Sequence, residues 1–276
     1  MMVVVIGYNL TLISSLCYHT VNFINAKKKQ MVFELNDTSK VESLFEGMED
    51  SCIISCLQKV MGKIYVTDLD NPRSAMALVG SFAFYAGEPD KELVLHDIKR
   101  NVIMIPQNKS WESLIESSLP ATKMIRYGIK KTPRFNQEKL KAMAKTLLEG
   151  YEIRKIDSDI YDLCLATSGF EDFVSSFDSK EMYLTLGRGF VVMKGERIVS
   201  GASSYSRYRE GIEIEVNTLK EERHKGLAGA VCAALILSCL DEGLYPRWDA
   251  ANLMSVRLAE KLGYEFSHEY IWLLFC

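Results

Sequence analysis

The 276-residue chain is 48% hydrophobic and 25% charged, which excludes a disordered chain and leaves room for one large or two modest globular domains. With 33 basic against 36 acidic residues and a formal net charge of -3, no global basic field points to nucleic acid, so any anion binding has to be local. Seven scattered cysteines inside mostly apolar runs read as reduced thiols of a cytoplasmic protein, and Cys52 and Cys56 lack a second pair of ligands at zinc spacing, so neither a disulfide framework nor a metal site is predicted.

Met1 to Ala26 is rich in Val, Ile, Leu and Tyr and is followed by Lys27, Lys28 and Lys29. Positive charges after the apolar stretch, with no small-residue cleavage site, argue against a signal peptide. Asn9, His19, Asn22 and Asn25 make the stretch a poor membrane anchor, and residues 1-30 read as an apolar extension, appended or loosely held. The opening V-V-V-I-G imitates a dinucleotide-binding strand, but Tyr8, Asn9 and Leu10 stand where further glycines are needed.

Thr38 to Val60 reads as one or two helices broken near Gly47 and Ser51. A β-rich region follows, with strands at Ile64 to Thr67, Ser74 to Tyr85 and Asn101 to Ile105, then a short helix capped by Ser110. Lys123 to Lys131 is a further strand and Asn136 to Gly150 a helix, and a domain boundary falls there: 31-149 forms an N-terminal α/β lobe and 150-276 a second domain. In the second domain a strand at Tyr151 to Ile156 and helices within Asp159 to Phe177 lead to a meander of Phe190 to Met193, Arg197 to Tyr208 and the strand starting at Ile212. A short strand at Pro246 to Asp249, an amphipathic helix ended by Gly263 and an apolar last strand, Glu265 to Phe275, complete the chain.

Chemistry concentrates between Ile212 and Gly229. Ile212, Ile214 and Val216 alternate with Glu213, Glu215 and Asn217, giving a strand with one apolar face and two carboxylates on the other. From Leu227 the period becomes helical, and Gly226, Ala228 and Gly229 leave the helix entrance open. Backbone amides at the positive end of that helix, beside Arg223, His224 and Lys225, suit a phosphate or pyrophosphate.

The order of elements and the run Arg223-x-x-Gly226-Leu227-Ala228 resemble the GNAT superfamily of acetyl-CoA-dependent acyltransferases. Asn252, Ser255 and the Lys261-Leu262-Gly263-Tyr264 ending resemble that family's second signature, and Leu244-Tyr-Pro-Arg-Trp-Asp249 is similar to a bacterial subgroup with an extra N-terminal region. The resemblance implies a mixed, mostly antiparallel α/β sheet flanked by helices, with acetyl-CoA as the acyl donor. It implies coenzyme contacts at Val216, Asn217, Thr218, Arg223, His224, Lys225, Gly226, Leu227, Ala228, Gly229, Asn252 and Ser255, and a bulge near Asn217 that splays the strand from its neighbour. The acceptor it implies is a small-molecule or protein amine, attacked directly. The N-terminal lobe is either a degenerate GNAT-like half or a sheet that completes the acceptor pocket.

Glu215 is the candidate base. The competing reading leaves Glu213 and Glu215 at the sheet rim or paired with Arg207 or Arg209. Many enzymes of this kind carry a tyrosine seven residues after the helix-entry asparagine, and here that position is Ala259. Tyr264 and Tyr205 are the substitutes considered, the alternative being departure of the thiolate without a protein acid. The departure at Ala259 also leaves open a coenzyme A or acyl-CoA binding module without catalysis.

Overall fold

The computed structural model describes residues 32–97, 101–131 and 135–275. The readings of residues 1-30 therefore lie outside the described residues, among which no helix is long and apolar enough to cross a membrane.

One sheet has the strands β1 (Phe33–Glu34), β2 (Lys63–Val66), β3 (Ser74–Val79), β4 (Phe82–Gly87), β5 (Val102–Pro106), β6 (Ala121–Ile129), β12 (Asp249–Ala250) and β13 (Phe266–Phe275), in the order β1-β2-β3-β4-β5-β13-β6-β12. The other has β7 (Tyr151–Lys155), β8 (Gly189–Lys194), β9 (Arg197–Tyr208), β10 (Gly211–Thr218) and β11 (Tyr245–Arg247), in the order β11-β10-β9-β8-β7. Pairing is antiparallel except β4 with β5 and β10 with β11. The helices are a 3-10 turn at Thr38–Phe45, α1 (Ser51–Leu57), α2 (Lys91–Val94), α3 (Lys109–Ser118), α4 (Gln137–Ala144), α5 (Ser158–Ala166), α6 (Asp172–Ser175), α7 (Lys180–Leu186), a second 3-10 turn at Lys220–Glu222, α8 (Leu227–Asp241) and α9 (Leu253–Leu262). This is the mixed, mostly antiparallel α/β architecture anticipated from the sequence.

Two features of the topology position the site. First, β13 enters the sheet between β5 and β6, so its buried Trp272, Leu273 and Phe275 are flanked on both sides, which explains its nearly continuous apolar sequence. Second, β11 and β12 are separated by Trp248 alone, so the chain crosses from one sheet to the other at that residue. The expected single strand at Pro246 to Asp249 is divided there, because its two halves pair with different sheets.

The meander β8-β9-β10 is as expected, and the apolar face of β10 packs Ile212, Ile214 and Val216 against Leu227, Val231 and Leu235 of α8. α8 is apolar on every side because the sheet, α4 and α9 all cover it. The irregularity in the β9–β10 ladder lies between Glu213 and Ile214, not near Asn217. Its extra residue is Tyr205 of β9, whose ring stands edge-on to Phe82 and whose hydroxyl accepts from the Ser81 amide at 2.9 Å. The β10–β11 pairing ends at the same level, with Glu213 opposite Arg247, and beyond it the two strands diverge.

Elsewhere the differences are local. Ser74 to Tyr85 is a hairpin, since Gly80 (φ +55°) turns the chain where alternation alone reads straight through. The helix expected to end at Gly150 stops at Ala144, α1 is capped by Asp50, and α3 is capped by Asn108, two residues ahead of the expected Ser110.

Candidate active site

The diverging end of β10, the loop before α8 and the first turns of α9 enclose a cavity of about 320 Å³. Val216, Asn217, Thr218, Arg223, His224, Gly226, Leu227, Ala228, Gly229 and Ser255 line it, so most of the residues singled out in the sequence come together here. His224 (φ 64°) and Gly226 (φ 79°) both take the left-handed conformation, turning the loop so that α8 starts directly at the cavity wall. A Cβ on Gly226 would meet nothing within 4 Å, so the position faces open space. Gly226 is the N-cap of α8 and offers no side-chain cap; among the described residues the amides of Leu227, Ala228 and Gly229 have no acceptor. Three unspent amides stand at the positive end of a fifteen-residue helix, an arrangement that can donate to an anion.

Arg223 braces the other side, its Nε donating to the Thr218 carbonyl at 3.2 Å. Asn217 donates to the Gly169 carbonyl at 2.6 Å and accepts from the Thr218 amide, which fixes the end of β10. Asn252 does not line the cavity: its side chain caps α9 by accepting from the Ser255 amide at 3.0 Å, and Ser255 in turn accepts from Trp248 Nε1 at 3.1 Å. Sequence reading missed Glu222, which also lines the cavity, and Met254 and Leu258, which reach it with Lys261 of the second signature from one face of α9; the spacing of four and three residues along that helix was the signal available.

Lys225 also stays out of the cavity. Its ammonium lies 2.6 Å from Glu222, which buries its carboxylate among Lys225, Lys194 at 3.2 Å and the Tyr151 hydroxyl at 2.6 Å. Hydrogen bonds from Lys225 and from Tyr151, with Lys194 adding to them, hold the Glu222 carboxyl down at about 2 against an ordinary 4.5. A depressed carboxyl contributes stability above its unfolded value and loses it as pH falls through the folded one, so Glu222→Gln should melt below the wild type at neutral pH. The two melting temperatures should converge as pH falls from about 4.5 towards about 2, a trend that thermal melts over that range will detect.

On the opposite face of β10, Glu213 and Glu215 are both buried, at 0% and 2% exposure, so neither is a solvated rim group. Arg207 does not pair with them; it donates to the carbonyls of Tyr208, Arg209 and Gly211. Ser51 donates to Glu213, and Arg247 Nε lies 3.7 Å from the same carboxylate. Among the described residues Glu215 Oε2 has no hydrogen-bond partner, and burial, reinforced by the negative charge of Asp172, pushes its carboxyl well above the usual range. It stands two residues beyond the last β10–β11 pair, where the strands have parted. The tyrosines weighed as acids are otherwise engaged: Tyr264 donates to the Pro246 carbonyl at 2.6 Å, and Tyr205 is buried against Ser81. Ala259 is fully buried.

A second cleft of about 680 Å³ opens on the other side of the strand crossing, between β11, the segment before α1, and the faces of β4, β5, β6 and β13. Its inner wall carries a buried ion pair that sequence reading missed. Arg126 is 1% exposed and sits between Phe82 and Trp272, 5.8 and 5.5 Å from their ring centres; its Nε donates to Asp249 Oδ1 at 2.6 Å, while Tyr270 donates to Oδ2 at 3.0 Å. Among the described residues no group of His, Cys, Asp and Glu could hold a metal ion.

With this geometry in place, a model of the GNAT acetyltransferase family matches residues 42–273. The chain is 24% identical over 230 residues, 77% of its length and 85% of the relative's, to the uncharacterized N-acetyltransferase YdfB of Bacillus subtilis. The crystal structure of a GCN5-related N-acetyltransferase-like protein from Streptococcus suis superposes with a TM-score of 0.84 at 40% identity, covering 87% of this chain and 98% of that one. A GCN5-related N-acetyltransferase from Kribbella flavida shares the fold at 17% identity and a TM-score of 0.50, over 74% of this chain and 86% of its own. The chain belongs to the GNAT acetyltransferase family.

Proposed function

We propose that the protein moves the acetyl group of acetyl-CoA to an amine, on a small molecule or a protein, by direct attack of the amine on the thioester. The observation that carries this reading is the set of unspent amides at Leu227, Ala228 and Gly229, opening into the 320 Å³ cavity beside Arg223. These residues fit a pyrophosphate, with His224 at the same wall, and Val216, Asn217 and Thr218 line the wall that would take the pantetheine arm and the thioester. Asn252 acts here through the helix it caps, setting Ser255 against the cavity. Lys225 acts through Glu222, by pinning the loop.

The chemistry assigns one proton to Glu215. An ammonium cannot attack, so one proton must leave the acceptor nitrogen, directly or through water, before nitrogen bonds to the carbonyl carbon and the carbon–sulfur bond breaks. A desolvated carboxylate is a stronger base than a solvated one, and Glu215 is such a group at the point where the strands part. Since Ala259 and the committed hydroxyls of Tyr264 and Tyr205 offer no acid, the thiolate leaves under the backbone dipoles of the cavity and solvent. In this scheme residues 150-276 hold the coenzyme, and residues 31-149 together with β13 wall the acceptor cleft.

The test is thiol release from acetyl-CoA with a panel of amines, paired with Gly226→Glu. The new carboxylate would occupy the anion site, so the coenzyme A Kd should rise about 100-fold or more, while Gly226→Ala, which meets only the left-handed backbone cost of about 1 kcal/mol, should bind far better. Coenzyme binding that survives Gly226→Glu, or coenzyme that binds without amine-dependent thiol release, overturns the reading.

A further inference from the structure

The hydrogen bonds around Ser255 leave one donor without an acceptor, and that donor borders the cavity of about 320 Å³. Ser255 is 1% exposed and lines the cavity from the first turn of α9, on the same helix face as Leu258. Its Oγ accepts from Trp248 Nε1 at 3.1 Å. An indole N–H can only donate, so the hydroxyl is the acceptor in that bond and keeps its own proton to give. Among the described residues no hydrogen bond uses that proton. The other hydroxyl that lines the cavity is committed: Thr218 Oγ1 lies 2.7 Å from Ser200, whose own proton goes to the Asn217 carbonyl at 3.2 Å, so Thr218 donates to Ser200.

Trp248 fixes the level at which Ser255 acts. It follows directly on Arg247, whose pairing with Glu213 is the last between β10 and β11, so the indole stands where the two strands part. It is 2% exposed, lies 5.5 Å from the ring of Tyr264, and packs in the cluster that α8 and α9 form against the apolar face of β10. Glu215 lies on the other face of that strand.

From this accounting we infer that Ser255 is a catalytic residue, its hydroxyl donating a hydrogen bond to the thioester sulfur as that sulfur becomes a thiolate, and that Trp248 is the residue that positions it. The inference rests on the acetyl-transfer reading and adds a donor to the backbone dipoles already invoked there. The amine nitrogen bonds to the carbonyl carbon, the carbon–sulfur bond breaks and its electron pair goes to sulfur. The Ser255 proton stays on Oγ throughout, because an alcohol is a far weaker acid than a thiol, and solvent protonates the thiolate once it has left. The sulfur of a bound thioester is a weak acceptor, whereas a hydrogen bond to an anion is about twice as strong as a neutral one, so the donor acts on the transition state more than on the substrate.

The experiment is titration of the coenzyme A thiol bound to the protein, followed by thiolate ultraviolet absorbance with coenzyme-free protein as the blank, together with steady-state kinetics. It compares the wild type with Ser255→Ala, Trp248→Phe and the double variant. A donor at the sulfur favours the thiolate, so the bound thiol should titrate below the ordinary value of about 8.5, and about one pH unit or more higher in Ser255→Ala. The charged groups nearby, Glu222, Arg223, His224 and Lys261 at the cavity and Glu215 across β10, are the same in every variant, so the difference reports Ser255. In Ser255→Ala kcat should fall about 10–100-fold with the acetyl-CoA KM within about threefold. Trp248→Phe frees the hydroxyl to turn to a helix carbonyl, and kcat should fall about three- to tenfold. Ser255→Ala strands a buried indole N–H, whereas the double variant removes both partners; it should melt near the wild type and still carry the full loss of rate and the full shift of the thiol. No coenzyme A binding by the wild type, kcat or the thiol titration unchanged in Ser255→Ala and in the double variant, or a loss expressed in KM alone, overturns the inference. A bound thiol that shifts in the variants without amine-dependent thiol release from acetyl-CoA supports the placing of Ser255 at the sulfur and counts against the transfer reading alone.

Discussion

Glu215→Gln is expected to lower kcat by about 10²–10⁴-fold while leaving the coenzyme A Kd unchanged. The same variant should be at least as stable as the wild type, which separates a functional carboxyl from a structural one. Glu215 Oε2 has no hydrogen-bond partner among the described residues, and burial together with Asp172 raises the carboxyl well above its ordinary value. A carboxyl raised in the folded state favours folding below its unfolded value, and that contribution is lost as pH rises through the folded one. Glutamine cannot ionise, so the melting temperature of the variant should gain on the wild type as pH rises above the ordinary glutamate value of 4.5. The rate should show the complementary signature, an acid limb in kcat for the wild type that the variant lacks. Full activity in the variant, or a loss of stability equal at every pH, would remove Glu215 from the mechanism.

Arg126→Met is expected to destabilise the fold by about 3–5 kcal/mol, because it leaves the carboxylate of Asp249 inside the protein without its cation. For a chain of this size that corresponds to a fall in Tm of roughly 6–20 °C. The guanidinium cannot be replaced by solvent, since Arg126 is 1% exposed and enclosed by Phe82 and Trp272. Adding Asp249→Asn should restore much of the loss, since the uncompensated charge, rather than the missing side-chain volume, dominates it. Urea unfolding of the two single variants and the pair measures the coupling. A single variant costing less than about 1 kcal/mol, or a pair no better than Arg126→Met alone, would show that the ion pair does not hold the crossing between the sheets.

The parts of the site that the sequence makes legible are those whose signal is local. Alternation along Ile212 to Asn217, the change of period at Leu227 and the helix entry at Asn252 each depend on neighbours within a few residues, and each is where it was expected. What could not be read depends on pairings made far along the chain. Arg126 meets Asp249 across 123 residues and Ser51 meets Glu213 across 162, so nothing near Asp50 announces a cleft. Lys225 illustrates the limit differently: its position beside Gly226 is right for an anion, but a carboxylate three residues earlier holds its charge. The bulge was misplaced because its cause, Tyr205 reaching back to Phe82 and Ser81, lies on another strand.

The insertion of β13 between β5 and β6 bears on how the chain acquires its shape. Until Phe266 to Phe275 has been synthesised and has found its slot, β5 and β6 each present an unsatisfied edge, and the cleft face that carries Ser267, His268 and Tyr270 does not exist. The wall of the second cleft is therefore finished last, by long-range pairings of the kind that slow folding and expose aggregation-prone edges. A nascent chain that has already formed the first cavity from β10, α8 and α9 still lacks the wall of the second that Ser267, His268 and Tyr270 supply.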